Sequence, residues 1–194
     1  PAFGYSLSNP DAAPSGSNDF SCKPSAAHPR PVVLVHGTWV NQYSSFARLA
    51  PALREQGYCV FAAVHGKETA SLIGRVPAVR GTDYIDNSSA QIATFVDRVL
   101  AATGAPAVDM VGFSLGGPTI PNYLRFFGGA DPADPTRNKV RTVVTLGATQ
   151  HGTELSGIGT LAKQLDRLGL PITGAGSGAV GFSIFQELTG SPFL

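Results

Sequence analysis

Short apolar runs that alternate with helix-like segments constrain the fold of this chain more than any other feature. Continuous apolar runs without a polar face are typical of strands buried on both sides, and their alternation with helices is typical of a parallel sheet. We therefore predict an α/β fold whose mostly parallel sheet carries helices on both faces. The expected strands are 31–35, 59–64, 107–111 and 142–146, and the expected helices are 44–56, a segment from 88 and 117–127.

Local signals predict where two of these helices begin and end. Ser44 and Ser45 are candidate N-caps of the first helix, and Gly57 stands where a helix usually ends. The pattern Ser88-Ser89-Ala90-Gln91 predicts a capping box at the start of the second helix, which Gly104 ends.

The two ends of the chain lack such periodicity. Residues 1–30 are rich in Pro, Ser, Asn and Ala and predict an extended N-terminal arm. From 147 to 194 we expect one helix ending at Gly169, while the glycine-rich stretch 173–178 predicts either a substrate-covering, lid-like loop or a plain linker. A length of 194 residues fits one domain, so we predict a single domain over 1–194.

Composition excludes several classes of protein. The net charge is +1, which predicts no binding to nucleic acid and no electrostatic attraction to an anionic membrane. No segment approaches the roughly 20 apolar residues of a membrane span. The start of the chain lacks a basic segment followed by an apolar one, so we expect any signal peptide to have been removed.

The chain contains two cysteines, Cys22 and Cys59. Neither lies in a metal-ligand spacing such as C-x-x-C, so no metal site is expected. They are either two buried free thiols or a disulfide that ties the arm to the sheet, and we favour the disulfide. A disulfide would indicate a secreted protein in an oxidising, extracellular setting.

The sequence Gly112-Phe113-Ser114-Leu115-Gly116 reads G-x-S-x-G between a predicted strand and a predicted helix. A serine on so sharp a turn projects its hydroxyl out of the fold, as nucleophilic acyl transfer requires. The alternative is an ordinary glycine-rich loop, but the strand–turn–helix context favours a nucleophile. We therefore predict that Ser114 is a catalytic nucleophile.

A nucleophilic serine also needs hydrogen-bond donors for the oxyanion that develops during the reaction. We nominate the backbone N–H of Leu115, directly after the nucleophile, and that of Thr38, in the loop after the first buried strand. His36 belongs to the same loop, where we expect it to be structural.

Three segments together resemble the secreted actinobacterial triacylglycerol lipases of the α/β-hydrolase superfamily. They are VLVHGT at 33–38, GFSLGG at 112–117 and LGATQHGT at 146–153, and the likeness spans roughly residues 20–194. The resemblance implies hydrolysis of fatty-acyl esters during transient contact with a lipid interface, with no metal or organic cofactor. It also implies the Cys22–Cys59 disulfide and the oxyanion roles of Thr38 and Leu115. Phe113 stands where these lipases more often have His.

The base and the acid that should activate Ser114 are not evident in the chain. In this superfamily the order is Ser, then Asp or Glu, then His. His151 is the one candidate base after Ser114, although the resemblance implies a structural role for it. Glu154 is a weak candidate acid; the other carboxyls after Ser114 are Asp131, Asp134, Asp166 and Glu187.

We therefore hypothesise that the chain is the N-terminal part of a longer lipase. The catalytic acid and base would then lie beyond Leu194, in a C-terminal remainder that adds the missing strands to the sheet. In its absence the strand at 142–146 would be an unpaired edge and an aggregation hazard.

Two kinds of alternative stay open. A cutinase-like polyester hydrolase or an acyltransferase could use the same nucleophile. A non-catalytic protein of the same fold, binding a lipid or a partner, or an inactive fragment, would use none of this chemistry.

Overall fold

A four-stranded parallel sheet organises the part of the chain that the structure describes. The computed structural model describes residues 2–153, 164, 167–169 and 172–188. Within this part the sheet has the strand order β2-β1-β3-β4, which confirms the predicted α/β fold class. The strands are β1 (Val32–Val35), β2 (Val60–Ala62), β3 (Val108–Phe113) and β4 (Val140–Leu146).

The described helices connect and cover these strands. They are α1 (Ala2–Ser8), α2 (Gln42–Phe46), α3 (Leu49–Glu55), α4 (Ile85–Thr103), α5 (Gly116–Phe126), α6 (Ile172–Val180) and α7 (Ser183–Gln186). Short 3-10 turns lie at Ile73–Arg75 and Pro135–Arg137. None of these helices combines the length and the apolar character needed to cross a membrane.

The core lies on both faces of the sheet because alternate side chains of a strand point to opposite sides. One face of β1 packs with α4 and α5, and the other packs with α2 and α3. The first cluster includes Val33, Val35, Ile92, Val96, Met110, Ile120 and Tyr123. The second includes Val32, Leu34, Phe46, Ala50, Val60 and Ala62.

A disulfide joins Cys22 to Cys59, directly before β2. This confirms the favoured interpretation of the two cysteines and excludes the free thiols. Cys59 is buried in the core, whereas Cys22 lies in the arm that precedes β1. The bond therefore ties the arm to the β2 edge of the sheet.

Two predicted helix starts are wrong. The single helix expected over 44–56 is two short helices, and Asn41 is the N-cap of α2, with Ser44 completing its capping box. The capping box expected at Ser88 does not exist, because α4 begins at Ile85, whose side chain is fully buried. Ser88 therefore lies inside the helix.

The two ends of the chain also differ from expectation. The N-terminal arm contains the short helix α1, which packs against α2 through Tyr5 and Tyr43. The glycine-rich stretch 173–178, expected as an irregular loop, is helical and belongs to α6. Most of the helix expected to end at Gly169 lies outside the described residues.

The strand β4 differs from the other three in exposure. It pairs with β3 on one side, and its other edge has no strand partner in the described part of the chain. Val144 is 47% exposed and Leu146 is 42% exposed, whereas all four residues of β1 are buried. Apolar side chains thus lie open to solvent on this strand.

Candidate active site

Ser114 lies on a tight turn between β3 and α5. Its φ is +52°, in the left-handed region that non-glycine residues rarely adopt and that is costly for them. The glycines of the motif allow close approach of the backbone. A Cβ on Gly112 would lie 2.7 Å from the carbonyl oxygen of Gly116, and a Cβ on Gly116 would collide with the carbonyl oxygen of Val35. The turn therefore depends on both glycines.

Neighbouring strands anchor this turn. The backbone N–H of Ser114 donates to the carbonyl oxygen of Leu146, at the end of β4, over 3.1 Å. The carbonyl oxygen of Ser114 accepts from the N–H of Gly117 over 2.8 Å. Since all four strands are parallel, the loops after β1, β3 and β4 all lie at the carboxyl ends of the strands. Ser114, which follows β3, lies between the other two loops.

The loop after β1, residues 36–39, contacts Ser114 directly. A Cβ on Gly37 would lie 2.8 Å from the Cβ of Ser114, so this approach requires glycine. The backbone N–H groups of Thr38 and Leu115 donate to no acceptor within the part of the chain that the structure describes. Such free donors beside a serine hydroxyl can bind a developing oxyanion.

Two buried histidines support this loop. The rings of His36 and His65 stack with centroids 4.0 Å apart. A ring nitrogen of His36 lies 3.0 Å from the carbonyl oxygen of Gly37, and Nε2 of His65 lies 3.1 Å from that of His36. Burial lowers the pKa of His65 to about 4, and burial together with His65 lowers the pKa of His36 well below its usual range. Both rings are therefore neutral structural groups at neutral pH.

Further contacts hold the loop from the segment that precedes α4. The N–H of Trp39 donates to the carbonyl oxygen of Arg80 over 3.0 Å. A Cβ on Gly81, whose φ is +66°, would lie 2.5 Å from the carbonyl oxygen of Gly37. The Trp39 indole N–H donates to the carbonyl oxygen of Val180 over 2.7 Å and so connects the loop to α6.

The carboxyl and histidine candidates take different positions. Asp131 and Asp134 precede β4 and so lie at the amino ends of the strands, opposite to Ser114. Their side chains accept hydrogen bonds from backbone N–H groups of their own turn. His151 is exposed in the turn after β4. Glu154 and Asp166 lie outside the described residues.

Glu187 is the candidate that the structure brings to the site. Its carboxylate accepts hydrogen bonds from the hydroxyls of Thr38 and Thr149, and the group is 1% exposed. Burial raises its pKa, and the two hydroxyl donors oppose that shift. The sequence offered no pattern that would have singled out Glu187 among the acidic residues.

Two partly exposed apolar side chains lie in the segments that meet at Ser114. Trp39 is 38% exposed next to Thr38, and Phe113 is 37% exposed next to Ser114. Phe113 also touches the loop after β1, since a Cβ on Gly37 would lie 3.3 Å from its ring. Among the described residues no cluster of three His, Cys, Asp or Glu side chains could hold a metal ion.

The fold of this chain is similar to that of solved bacterial proteins. The chain resembles the mature Bacillus licheniformis lipase BlEst2 with a TM-score of 0.55 and 19% identity, over 93% of this chain and 60% of that one. An extracellular α/β-hydrolase from a Paenibacillus species matches with a TM-score of 0.47 and 17% identity, over 73% of this chain and 53% of that one. The chain thus spans about 60% of the length of the Bacillus lipase.

The family model "Lipase (class 2)" matches residues 29–164, which is more than half of the chain. The match includes the loop after β1, the Ser114 turn and all four strands of the sheet. The chain therefore belongs to the class 2 lipase family.

Proposed function

We propose that this chain carries the nucleophile of a serine carboxylic-ester hydrolase that acts on triacylglycerol or other fatty-acyl esters. The observation that carries the proposal is the Ser114 turn, with its positive φ and the free backbone N–H groups of Thr38 and Leu115 beside it. Family membership supports the same activity.

In the proposed reaction the Ser114 hydroxyl oxygen attacks the ester carbonyl carbon and its proton passes to a histidine base. The carbonyl oxygen becomes an oxyanion held by the N–H groups of Thr38 and Leu115. The intermediate collapses, the base protonates the alcohol, and an acyl-enzyme remains on Ser114. Water then releases the fatty acid and restores the serine.

We place the base and the acid beyond Leu194. One ring nitrogen of His36 lies next to the carbonyl oxygen of Gly37, and the other accepts from the backbone N–H of His65. The side chain of His65 is itself buried. His151 is exposed in the turn after β4, and Glu154 lies outside the described residues. The length of the Bacillus lipase, of which this chain spans 60%, is in keeping with a C-terminal remainder.

The surroundings of Ser114 support an apolar substrate. Trp39, next to Thr38, and Phe113, next to Ser114, present exposed apolar surface, as a fatty-acyl chain and transient contact with a lipid interface would require. The indole bond to Val180 joins this surface to α6, which supports a substrate-covering role for 147–194 within a single domain. The mechanism uses no cofactor and involves no nucleic acid. The disulfide supports secretion into an oxidising, extracellular medium.

A serine-reactive alkyl phosphonate tests the proposal. We expect the full-length protein to be labelled at Ser114, as mapped by peptide mass spectrometry, and to lose its hydrolysis of emulsified triacylglycerol in parallel. Ser114→Ala should be unlabelled and about 10⁶-fold slower, by analogy with a nucleophile knockout in another serine hydrolase.

Two results would contradict the proposal. Full activity in Ser114→Ala would exclude Ser114 as the nucleophile. A folded full-length protein that is neither labelled nor active on esters would indicate a non-catalytic lipid- or partner-binding protein instead. A preference for polyesters or for acyl transfer to alcohols, measured on the same preparation, would replace triacylglycerol as the substrate class.

A further inference from the structure

Glu187 touches both loops that flank the nucleophile. One carboxylate oxygen accepts from the Thr38 hydroxyl, and the other accepts from the Thr149 hydroxyl over 2.8 Å. Thr38 follows β1 and Thr149 follows β4, while β3, which ends in the nucleophile turn, lies between these strands. The carboxylate therefore bridges the two loops across the strand that carries Ser114.

Both loops in turn contact the nucleophile turn. The loop after β1 does so at Gly37, where a Cβ would lie 2.8 Å from that of Ser114. The loop after β4 does so at Ala148, whose side chain would collide with a Cβ on Gly117, in the first turn of α5. A shift of the loop after β1 would therefore move Thr38 relative to Ser114, and a shift of the loop after β4 would disturb the start of α5 at Gly117.

The segment that carries Glu187 is itself fixed. The Ser183 hydroxyl donates to the carbonyl oxygen of Gly81 over 2.6 Å, and the side-chain oxygen of Gln186 accepts from the N–H of Ile85 over 2.7 Å. The carbonyl oxygen of Glu187 accepts from the N–H of Thr153 over 2.9 Å. The carboxylate is thus held at a defined place rather than on a mobile side chain.

Burial of the Glu187 carboxylate costs free energy of folding. None of the four ion pairs among the described residues includes Glu187, so the two hydroxyls are its charge-stabilising partners in that part of the chain. Isolated buried carboxylates raise the free energy of a fold unless hydrogen bonds satisfy them. Both carboxylate oxygens of Glu187 already accept from threonine hydroxyls, so the side chain bridges the two loops.

We propose that Glu187 is a positioning residue that clamps the loop after β1 to the loop after β4 and thereby holds the Thr38 N–H at the oxyanion. The inference rests on the proposed function, since it concerns the donor used in that reaction. Donors act best when they are fixed before the charge develops, and a misplacement of about 1 Å can reduce the rate about 100-fold.

The test measures kcat and KM of the full-length protein on a soluble p-nitrophenyl ester. We expect Glu187→Ala to lower kcat roughly 10- to 100-fold while KM changes less than about threefold, because the lost positioning affects the transition state more than substrate binding. Glu187→Gln retains one acceptor oxygen and should be at least about fivefold faster than Glu187→Ala.

A second variant separates a clamp from general damage to the fold. Thr149→Val removes one hydroxyl of the bridge, and Thr103→Val removes a buried hydroxyl that bonds inside α4, far from Ser114. Thr149→Val should lower kcat in the wild-type background and change it less than about twofold when added to Glu187→Ala, because the bridge is already broken. Thr103→Val should leave kcat unchanged.

The inference is overturned if the wild type is active and Glu187→Ala retains at least half of its kcat. It is also overturned if Thr149→Val lowers kcat by the same factor in both backgrounds. If Glu187→Ala does not fold, as judged by circular dichroism, the same cycle with Glu187→Gln decides. A wild type that is neither labelled by the phosphonate nor active refutes the proposed function, and the inference with it.

Discussion

Ser114 separates two sides of the sheet that are built differently. The β1 side comprises β1, β2 and the loop 36–39. Its strands are buried, and its loop is held by the stacked histidines, the carbonyl oxygen of Arg80 and Gly81. The β4 side, which comprises β4 and residues 147–153, has an exposed strand and depends on the contact with Gly117 and on Glu187. In the proposed mechanism, the Thr38 donor would be held by the core on one side and by a single carboxylate on the other.

The largest expected effect comes from removing the Cys22–Cys59 disulfide, which joins the N-terminal arm to the β1 side. Cys22→Ala/Cys59→Ala should lower the free energy of unfolding by about 4 kcal/mol, because the disulfide closes a 37-residue loop and restricts the unfolded chain. Urea denaturation followed by circular dichroism measures the loss. Dithiothreitol should destabilise the wild type and leave the double variant unchanged; an unchanged wild type would show that the bond contributes little.

The next test titrates the histidine pair of the β1 side. Folding lowers the pKa of His65 from 6.5 to about 4, so between these pH values the unfolded chain binds more protons than the folded one. Stability should therefore fall as the pH falls from about 6.5 to about 4, by about 3 kcal/mol for His65 alone.

His65→Gln should flatten this dependence, because its amide can still donate to the carbonyl oxygen of His36 but does not titrate. The measurement is the denaturation midpoint at several pH values. Exposed His151→Gln, on the β4 side, is the matched control and should follow the wild type. Parallel profiles for the wild type and His65→Gln would contradict a buried neutral pair.

The smallest expected effect comes from the same substitution, valine to threonine, made once on the β1 side and once on the β4 side. Val33→Thr in β1 places a hydroxyl in the core and should cost about 2 kcal/mol, whereas Val144→Thr in β4 should change stability by less than about 0.5 kcal/mol. Equal losses, measured by urea denaturation, would mean that Val144 is covered in solution. That result would sharpen the contrast by identifying β4 as an interface.

The sheet was predictable from the sequence because its strands are buried on both faces. Continuous runs such as 32–35 have little alternative to a central strand. The start of α4 was not predictable in the same way, because the burial of Ile85 against the rest of the fold outweighed the capping pattern at Ser88. Tertiary packing decided where local signals competed.

The glycine-rich helix α6 shows the same limit. Glycine usually disfavours helices, so 173–178 predicted a loop. In the structure a Cβ on Gly176 would lie 2.7 Å from the ring of Phe185, so this glycine permits close packing of α6 against the segment that follows. That reason depends on a contact that periodicity does not reveal.

The candidate site divides along similar lines. The Ser114 turn and its neighbours could be nominated because the motif is local and its glycines have a local purpose. Glu187 could not, because its hydrogen bonds join it to Thr149, 38 positions earlier, and to Thr38, 149 positions earlier. A role set by such distant partners leaves no pattern in the sequence around it.

Trp39 is the only tryptophan among the 194 residues. Its indole stands beside Thr38, is partly open to solvent and donates to the carbonyl oxygen of Val180. Within this chain, tryptophan emission therefore arises from the loop that carries the proposed oxyanion donor. Any event that moves that loop or separates it from α6 would change the wavelength or intensity of the emission, so the chain contains its own optical probe of the site without added dye or label.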